Sequence, residues 1–373
     1  MSICSAAVPI PGEVSGTTQL EHLRKPNGSA EAKRNSQISR KMKDDQHELL
    51  NTISVLILGP GDCGKTTLRK QIVSVHGDLF EHESHRITFC KIILGNLIDG
   101  VIEVWSSLNR TQEIAVLKAR ARDIDRELPL DLAKQLMETI YLDETFTLAL
   151  KERNIQLQDC FSTFARELQS YPKWGGPGWV PSTDNCVRAR VRTSGVVKDE
   201  IMINNTKFIL YDVGGQRAER RKWMHSFSIC SAAIYCSAIS EYDQVMFEDR
   251  TKNRLQESTE LFYECVNSSW LAKTQMILFL NKKDLFHEKF TMQHIPINIS
   301  GLFPNAPTDY ENEDAAIAWF ADLFVSQKVV SQPQTKIFCH VTTATDPSNV
   351  KAVFQICTNV VLKQNMTRAG FVA

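Results

Sequence analysis

The stretch Gly59-Pro60-Gly61-Asp62-Cys63-Gly64-Lys65-Thr66 constrains this chain more than any other. It fits the pattern GxxxxGK[ST] and directly follows residues 53–58 (ISVLIL), a short apolar run of the kind a strand buried on both faces requires. A glycine-rich turn between strand and helix lets successive backbone N–H groups wrap a phosphate. The following helix points the positive end of its dipole at the same anion. In that setting Lys65 neutralises the β and γ phosphates of a nucleotide, and the Thr66 hydroxyl ligates Mg2+. An ordinary glycine turn is the competing reading, which the flanking strand and helix disfavour.

Two more loops follow strand-like runs in the same way. Residues 276–280 lead into Asn281-Lys282-Lys283-Asp284. An aspartate at such a strand end accepts hydrogen bonds from guanine N1–H and the 2-amino group, which adenine does not present, and a site built on such bonds discriminates strongly. Asn281 is then expected to hold neighbouring loops together and the Lys282 stem to cover the base. Alone, NKKD reads as a polar turn; after a phosphate loop it reads as guanine recognition. Residues 208–211 lead into Asp212-Val213-Gly214-Gly215-Gln216. Asp212 is placed to hold the Mg2+ shell through water, the Gly215 N–H to meet a γ-phosphate, and Gln216 to orient an attacking water. The paired glycines let the segment rearrange when that phosphate leaves.

Further apolar runs at residues 232–239 and 337–341 alternate with helical stretches at 250–266, 315–330 and 349–365. Strands alternating with helices predict an α/β protein whose mostly parallel sheet is covered on both faces. Residues 88–168 lack that rhythm. There Ile92, Ile93, Asn96, Leu97, Val101 and Val104 recur near the 3.6-residue period and residues 128–150 behave alike, so an all-helical module interrupts the α/β domain. A Gly/Pro/Trp-rich link at 171–181 leads the chain back. The expected division is a flexible tail at 1–28, an N-terminal helix at 29–51, an α/β domain from 52–84 and 187–373, and a helical insert at 85–186. The tail, with Pro9, Pro11, Gly12, Gly16, Pro26 and Gly28, cannot bury enough apolar surface to offset its ordering entropy. Lys33, Arg34, Arg40, Lys41 and Lys43 give the helix either a cationic face or an ordinary solvated one.

Composition excludes several classes. Lys plus Arg equals Asp plus Glu at 43 each, so no global field draws the chain onto nucleic acid, and no nucleic-acid partner is expected. With 43% hydrophobic and 23% charged residues, wholesale disorder is excluded. The ten cysteines form no CxxC pair and no zinc-spaced cluster with histidine. No secretory leader is expected from the opening residues, and no apolar run approaches the ~18 residues that span a bilayer. Reduced thiols in a cytosolic protein are the expectation.

DVGGQRAERRKW (212–223) and NKKDLF (281–286) resemble a heterotrimeric G protein alpha subunit. Val187-Arg188-Ala189-Arg190-Val191-Arg192-Thr193-Ser194-Gly195 is similar to that family's first switch, and Thr342-Thr343-Ala344-Thr345-Asp346 to its second guanine loop. The likeness runs in order from about residue 31 to 371. It implies a Ras-like P-loop GTPase domain, with a mostly parallel six-stranded sheet flanked by helices, carrying an inserted all-helical domain. It implies Mg2+-dependent hydrolysis of GTP to GDP and phosphate. By the same resemblance the nucleotide contacts Gly61, Asp62, Cys63, Gly64, Lys65, Thr66, Thr67, Val187, Arg188, Gly215, Asn281, Lys282, Asp284, Ala344 and Thr345. Mg2+ then sits on Thr66, Thr193 and, through water, Asp212. Arg190 resembles a built-in arginine finger that stabilises charge spreading onto the γ-phosphate and leaving oxygen, beside Gln216 as the water-positioning residue. Without the resemblance, Arg188, Arg190 and Arg192 are an alternating basic strand edge.

The resemblance also implies partners. The GDP state binds a beta-gamma dimer through the segment after Gln216 and the N-terminal helix; the GTP state releases it and engages effector enzymes or channels. A seven-helix receptor docks on the C-terminal helix, and regulators accelerate hydrolysis by steadying Arg190, Thr193 and Gln216. Such a protein sits peripherally on the cytoplasmic face of the plasma membrane. Four positions depart from the family pattern. Asp62-Cys63 replaces Glu-Ser, a shorter carboxylate expected to weaken pairing with Arg190 and a thiol that is a poorer hydrogen-bond partner than a hydroxyl. That change motivates an alternative, a nucleotide-dependent scaffold with negligible turnover. Ser2 replaces the glycine that N-myristoylation requires, so that modification is not expected, while Cys4 is a candidate for palmitoylation or an unmodified thiol. Ala369 stands where some members carry a toxin-modified cysteine. Trp223 is expected to pack differently in the two nucleotide states.

Overall fold

The computed structural model describes residues 52–151, 155–272, 274–329 and 336–368, together with Arg34. The tail, the expected N-terminal helix (Arg34 aside), Ser2, Cys4 and Ala369 lie outside the described residues. Strand β1 (Thr52–Leu58) runs into helix α1 (Lys65–His76). Seven helices follow: α2 (Glu83–Ile87), α3 (Cys90–Ser107), α4 (Thr111–Arg122), α5 (Leu130–Tyr141), α6 (Glu144–Lys151), α7 (Cys160–Leu168) and α8 (Thr183–Arg188). The chain then forms β2 (Val196–Ile203), β3 (Thr206–Val213), α9 (Met224–Phe227), β4 (Ala232–Ala238), α10 (Arg254–Val266), β5 (Gln275–Asn281), α11 (Lys283–His287), α12 (Glu313–Val325), β6 (Phe338–Val341) and α13 (Pro347–Arg368).

The sheet has six strands in the order β2-β3-β1-β4-β5-β6. All neighbours are parallel except β2 and β3, which pair antiparallel from Val196↔Val213 to Ile203↔Thr206. β4 and β5 are buried along their whole length, which is why they read as unbroken apolar runs. β2 did not stand out in the sequence for the opposite reason. Its VVKDEIMI puts three charged residues in a row on a strand paired on one side, and such charges guard an exposed edge against stray pairing.

Each face of the sheet carries its own apolar cluster. One packs α10 and α12 through Phe262, Phe320 and Phe324 against Leu56, Leu58 and Tyr235. The other packs α1 and α13 through Leu68, Ile72 and Phe354 against Ile53, Val55, Ile57 and Phe208. Fully burying an aliphatic or aromatic side chain contributes about 1.5–3 kcal/mol, so these rows dominate the stability of the sheet. A third cluster belongs to the helices before β2, where Ile93, Leu97, Val101 and Val104 of α3 meet Leu132, Leu136, Phe161 and Phe164.

Helix starts follow caps rather than periodicity. α10 begins at Arg254, four residues later than the pattern predicts, because Asn253 Oδ1 accepts from the N–H groups of Leu255 (2.9 Å) and Gln256 (3.1 Å). α12 begins at Glu313, where Asn312 Oδ1 accepts from Ala315 N at 3.0 Å, and it ends at Val325. α13 starts at Pro347, whose missing N–H costs nothing in a first turn.

Candidate functional site

The parallel strands end on one side of the sheet, and the loops leaving β1, β3, β5 and β6 meet there. They enclose a cavity of about 390 Å3, closed on its far side by residues of α7 and of the segment from Arg188 to Thr193. Gly61, Asp62, Gly64, Lys65, Thr66, Thr67, Arg188, Arg190, Thr193, Gly215, Gln216, Asn281, Lys282, Asp284, Ala344 and Thr345 all line it. Three of the expected residues do not. The Cys63 side chain turns under the loop to Cys236 and Ala238, Val187 packs against Phe80 and Cys186, and Asp212 is fully buried behind the wall.

The turn after β1 is held from two sides. Gly64 has φ +99°, and a Cβ there would lie 2.3 Å from Asn281 Nδ2, so only glycine fits the turn into α1. Asn281 Nδ2 donates to Cys63 O at 2.9 Å, while its Oδ1 accepts from Thr342 Oγ1 and Ala344 N, each at 3.1 Å. One amide thus ties the loops after β1, β5 and β6 together. Lys65 Nζ donates to Pro60 O at 2.6 Å, and a Cβ on Gly215 would collide with both groups. Gln216 lies across Gly61, its amide 2.6 Å from where a Cβ would stand.

Asp212 lies one residue before the end of β3, where its carboxylate meets Thr66 of α1. Its Oδ2 accepts from Thr66 Oγ1 at 2.7 Å and from Thr193 Oγ1 at 3.3 Å, and the two hydroxyls are 2.7 Å apart. Its Oδ1 is buried without a hydrogen-bond partner. Two hydroxyls, one carboxylate and an unsatisfied oxygen form a hard-oxygen set of the kind Mg2+ accepts alongside phosphate and water, so the residues present fit that ion.

Arg190 donates from Nε to Asp62 Oδ1 at 2.8 Å and from Nη2 to Asp62 Oδ2 at 3.1 Å. The shorter carboxylate was expected to weaken this pairing. Instead the two side chains meet in a bidentate fork, because Asn96 of α3 fixes the backbone behind the arginine. Asn96 Oδ1 accepts from Arg190 N at 2.7 Å and its Nδ2 donates to Arg190 O at 3.2 Å. Burial alone raises the Asp62 carboxyl, but the guanidiniums of Arg190 and Arg254 overcome it and hold the pKa below the usual carboxylate value. Phe247 lies under both arginines, 6.0 Å from Arg190 and 4.6 Å from Arg254.

The charge chain continues across the cavity. Arg254 Nη1 is 3.2 Å from Glu241 Oε1, which accepts from Lys282 Nζ at 2.6 Å, and Lys282 Nζ also meets Asp159 Oδ2 of α7's N-cap at 2.7 Å. Burial lowers the Lys282 ammonium, yet Asp159 and Glu241 more than compensate and raise its pKa. Lys282 itself takes a left-handed φ of 63°. No motif marks Asn96, Asp159, Glu241 or Arg254; they come from segments far apart in sequence, and only the fold assembles them. Trp223 is buried and its Nε1 donates to Gly214 O at 2.8 Å, so it reads the DVGGQ backbone directly.

Lys70 of α1 was missed as well. Its Nζ donates to Cys186 O (2.7 Å) and Ala189 O (2.6 Å), tying α1 to the chain that leads into Arg190. Burial, then repulsion from Arg69, pushes its pKa from 10.5 down to about 7. Between those values the unfolded chain holds a proton that the folded protein does not, so this group's contribution to stability rises with pH across the window. Urea midpoints of the wild type are expected to gain over Lys70→Met as pH climbs from 7 to 10, with a slope of at most about 1.4 kcal/mol per pH unit. Parallel pH profiles for the two proteins overturn this assignment.

A sequence model of the G-protein alpha subunit family matches residues 32–361. The chain is 33% identical over 351 residues to a guanine nucleotide-binding protein alpha-16 subunit of Caenorhabditis briggsae, covering 91% of this chain and 96% of that protein. It is 32% identical over 353 residues to a G(o) subunit alpha of Caenorhabditis elegans, covering 91% and 97%. Against a G(o) subunit alpha of Locusta migratoria the identity is 32% over 349 residues, covering 90% and 96%. The chain therefore belongs to the G-protein alpha subunit family, whose members are guanine nucleotide-binding signalling proteins and generally GTPases.

Proposed function

We propose that this chain is a self-timed switch: it holds GTP or GDP with Mg2+, hydrolyses GTP slowly, and changes partners when the γ-phosphate leaves. The convergence of four strand-end loops on one cavity, with a charged arginine reaching in from the segment after α8, supports this reading most. Lys65 and the N-terminus of α1 bind the phosphates, Thr66, Thr193 and Asp212 hold the metal shell, and Asp284 reads the base. The bound metal neutralises charge on the β and γ phosphates. Gln216 orients water, and Arg190 moves from Asp62 to the developing charge on the γ-phosphate.

The partner assignment is part of the same proposal. Loss of the γ-phosphate frees Thr193 and Gly215 from it, so the segments on either side of β2 and β3 loosen together and a beta-gamma dimer binds the released surface after Gln216. The GTP form engages effectors, α13 receives a seven-helix receptor, and the protein works at the cytoplasmic face of the plasma membrane. The proposed attachment there is peripheral; among the described residues no helix is long and apolar enough to cross a membrane.

Competition on the full chain tests the nucleotide reading. Unlabelled GTP and GDP are expected to displace a fluorescent GDP at near-stoichiometric concentration, with ATP ineffective at a thousandfold excess, as a site demanding the guanine edge requires by roughly 10⁴. Displacement by ATP overturns it. One observation favours a second reading: Asp62 engages Arg190 through both oxygens, which would keep the finger off the phosphate and leave a nucleotide-gated scaffold with negligible turnover.

A further inference from the structure

Asp212 has a neighbour that none of the motifs accounts for. Arg69 lies three residues after Thr66 on α1, so both project from one face of the helix. Its Nε stands 3.5 Å from Asp212 Oδ2, and its Nη1 is in direct ion-pair contact with Asp199 Oδ2 of β2. In the β2–β3 register Asp212 faces Val197, two residues before Asp199, so both carboxylates occupy the same face of the sheet as diagonal neighbours. Two carboxylates on one face repel each other unless a cation stands between them, and Arg69 is that cation. Its side chain is 13% exposed, that of Asp199 19% and that of Asp212 0%, so solvent screens the trio weakly.

We propose that the Arg69–Asp199 pair sets the magnesium affinity of the nucleotide site, Arg69 weakening it by drawing on the Asp212 carboxylate and Asp199 restoring part of it by holding Arg69 aside. This inference rests on the nucleotide reading given above. Asp212 Oδ2 already accepts from Thr66 and Thr193, and a guanidinium 3.5 Å away stabilises the carboxylate when no metal is near. The same fixed positive charge opposes a dication arriving at the same oxygens. Each effect lowers metal affinity. Asp199 acts in the opposite sense and only through Arg69, which makes both of them positioning residues. The consequence is functional: the magnesium level at which bound nucleotide becomes long-lived is written into a pair remote from the phosphates.

The test is the release rate of a fluorescent, non-hydrolysable GTP analogue from the full chain, measured against buffered free Mg2+. Removing the charge in Arg69→Leu is expected to lower the Mg2+ concentration for half-maximal retention about tenfold. Asp199→Asn raises it by roughly threefold, and the double variant matches Arg69→Leu alone. Arg69→Lys, which keeps the charge, stays within about twofold of the wild type. A merely structural role moves both single variants in the same direction. Unshifted or same-direction midpoints, with a wild type that does respond to Mg2+, overturn the proposal and leave the nucleotide reading intact. Wild-type release that ignores Mg2+ overturns both.

Discussion

Replacing Gln216 with leucine is expected to slow single-turnover GTP hydrolysis by roughly a hundredfold or more while GTP still binds, the scale seen when one preorganised polar group is removed from a transition-state site. Leucine keeps the volume that lies across Gly61 but has no amide with which to orient water. Arg190→Cys is expected to cost a comparable factor, since on the proposed mechanism the guanidinium, which lines the cavity, acts on the charge developing at the γ-phosphate. The two losses should not add fully, because both groups act on one transition state. Equal, near-zero rates in the wild type and both variants would instead identify the scaffold. The hold of Asp62 on Arg190 would then be the cause, and Asp62→Ser should release activity. Single-turnover measurements with Mg2+ under saturating protein decide between the two.

Asp284→Asn is the second large effect. Asp284 stands in the first turn of α11, at the cavity rim formed with Ala344 and Thr345. On the proposed reading a carboxylate there accepts from both guanine N–H groups, whereas an amide presents a donor to one of them. Affinity for GTP is expected to fall by about a hundredfold or more, and preference for GTP over ITP, which lacks the 2-amino group, should collapse. Equilibrium competition with the two nucleotides reads both numbers. Retained GTP preference would mean that the base lies elsewhere in the cavity.

The parts of this protein legible in the sequence are those whose chemistry is local. A phosphate turn, the DVGGQ segment and the NKKD loop each fit within eight consecutive residues, and the strands they follow are buried on both faces and so read as apolar runs. β2 escaped notice because an edge strand is written in a different alphabet, with Lys198, Asp199 and Glu200 where the interior strands carry valine and isoleucine. Helix starts shifted by a few residues because single asparagine caps, Asn253 and Asn312, outweigh periodicity. The long-range groups were invisible. Asn96 fixes Arg190 across 94 residues, and no spacing rule connects them. Nor does any motif signal that Asn96 holds the backbone of Arg190 where its Nε and Nη2 meet Asp62.

The junction of Lys282 with Asp159 and Glu241 bears on time rather than affinity. Asp159 leads into α7, whereas Lys282 follows β5, so the ammonium proposed to cover the base also ties the helical layer to the loop after β5. On the proposed reading, a nucleotide leaving the cavity parts that junction, and Lys282 and Glu241 then rehydrate. The expected consequence of that reading is a nucleotide dwell time set by how often the junction opens, so a contact made on either layer alters the clock without touching the nucleotide.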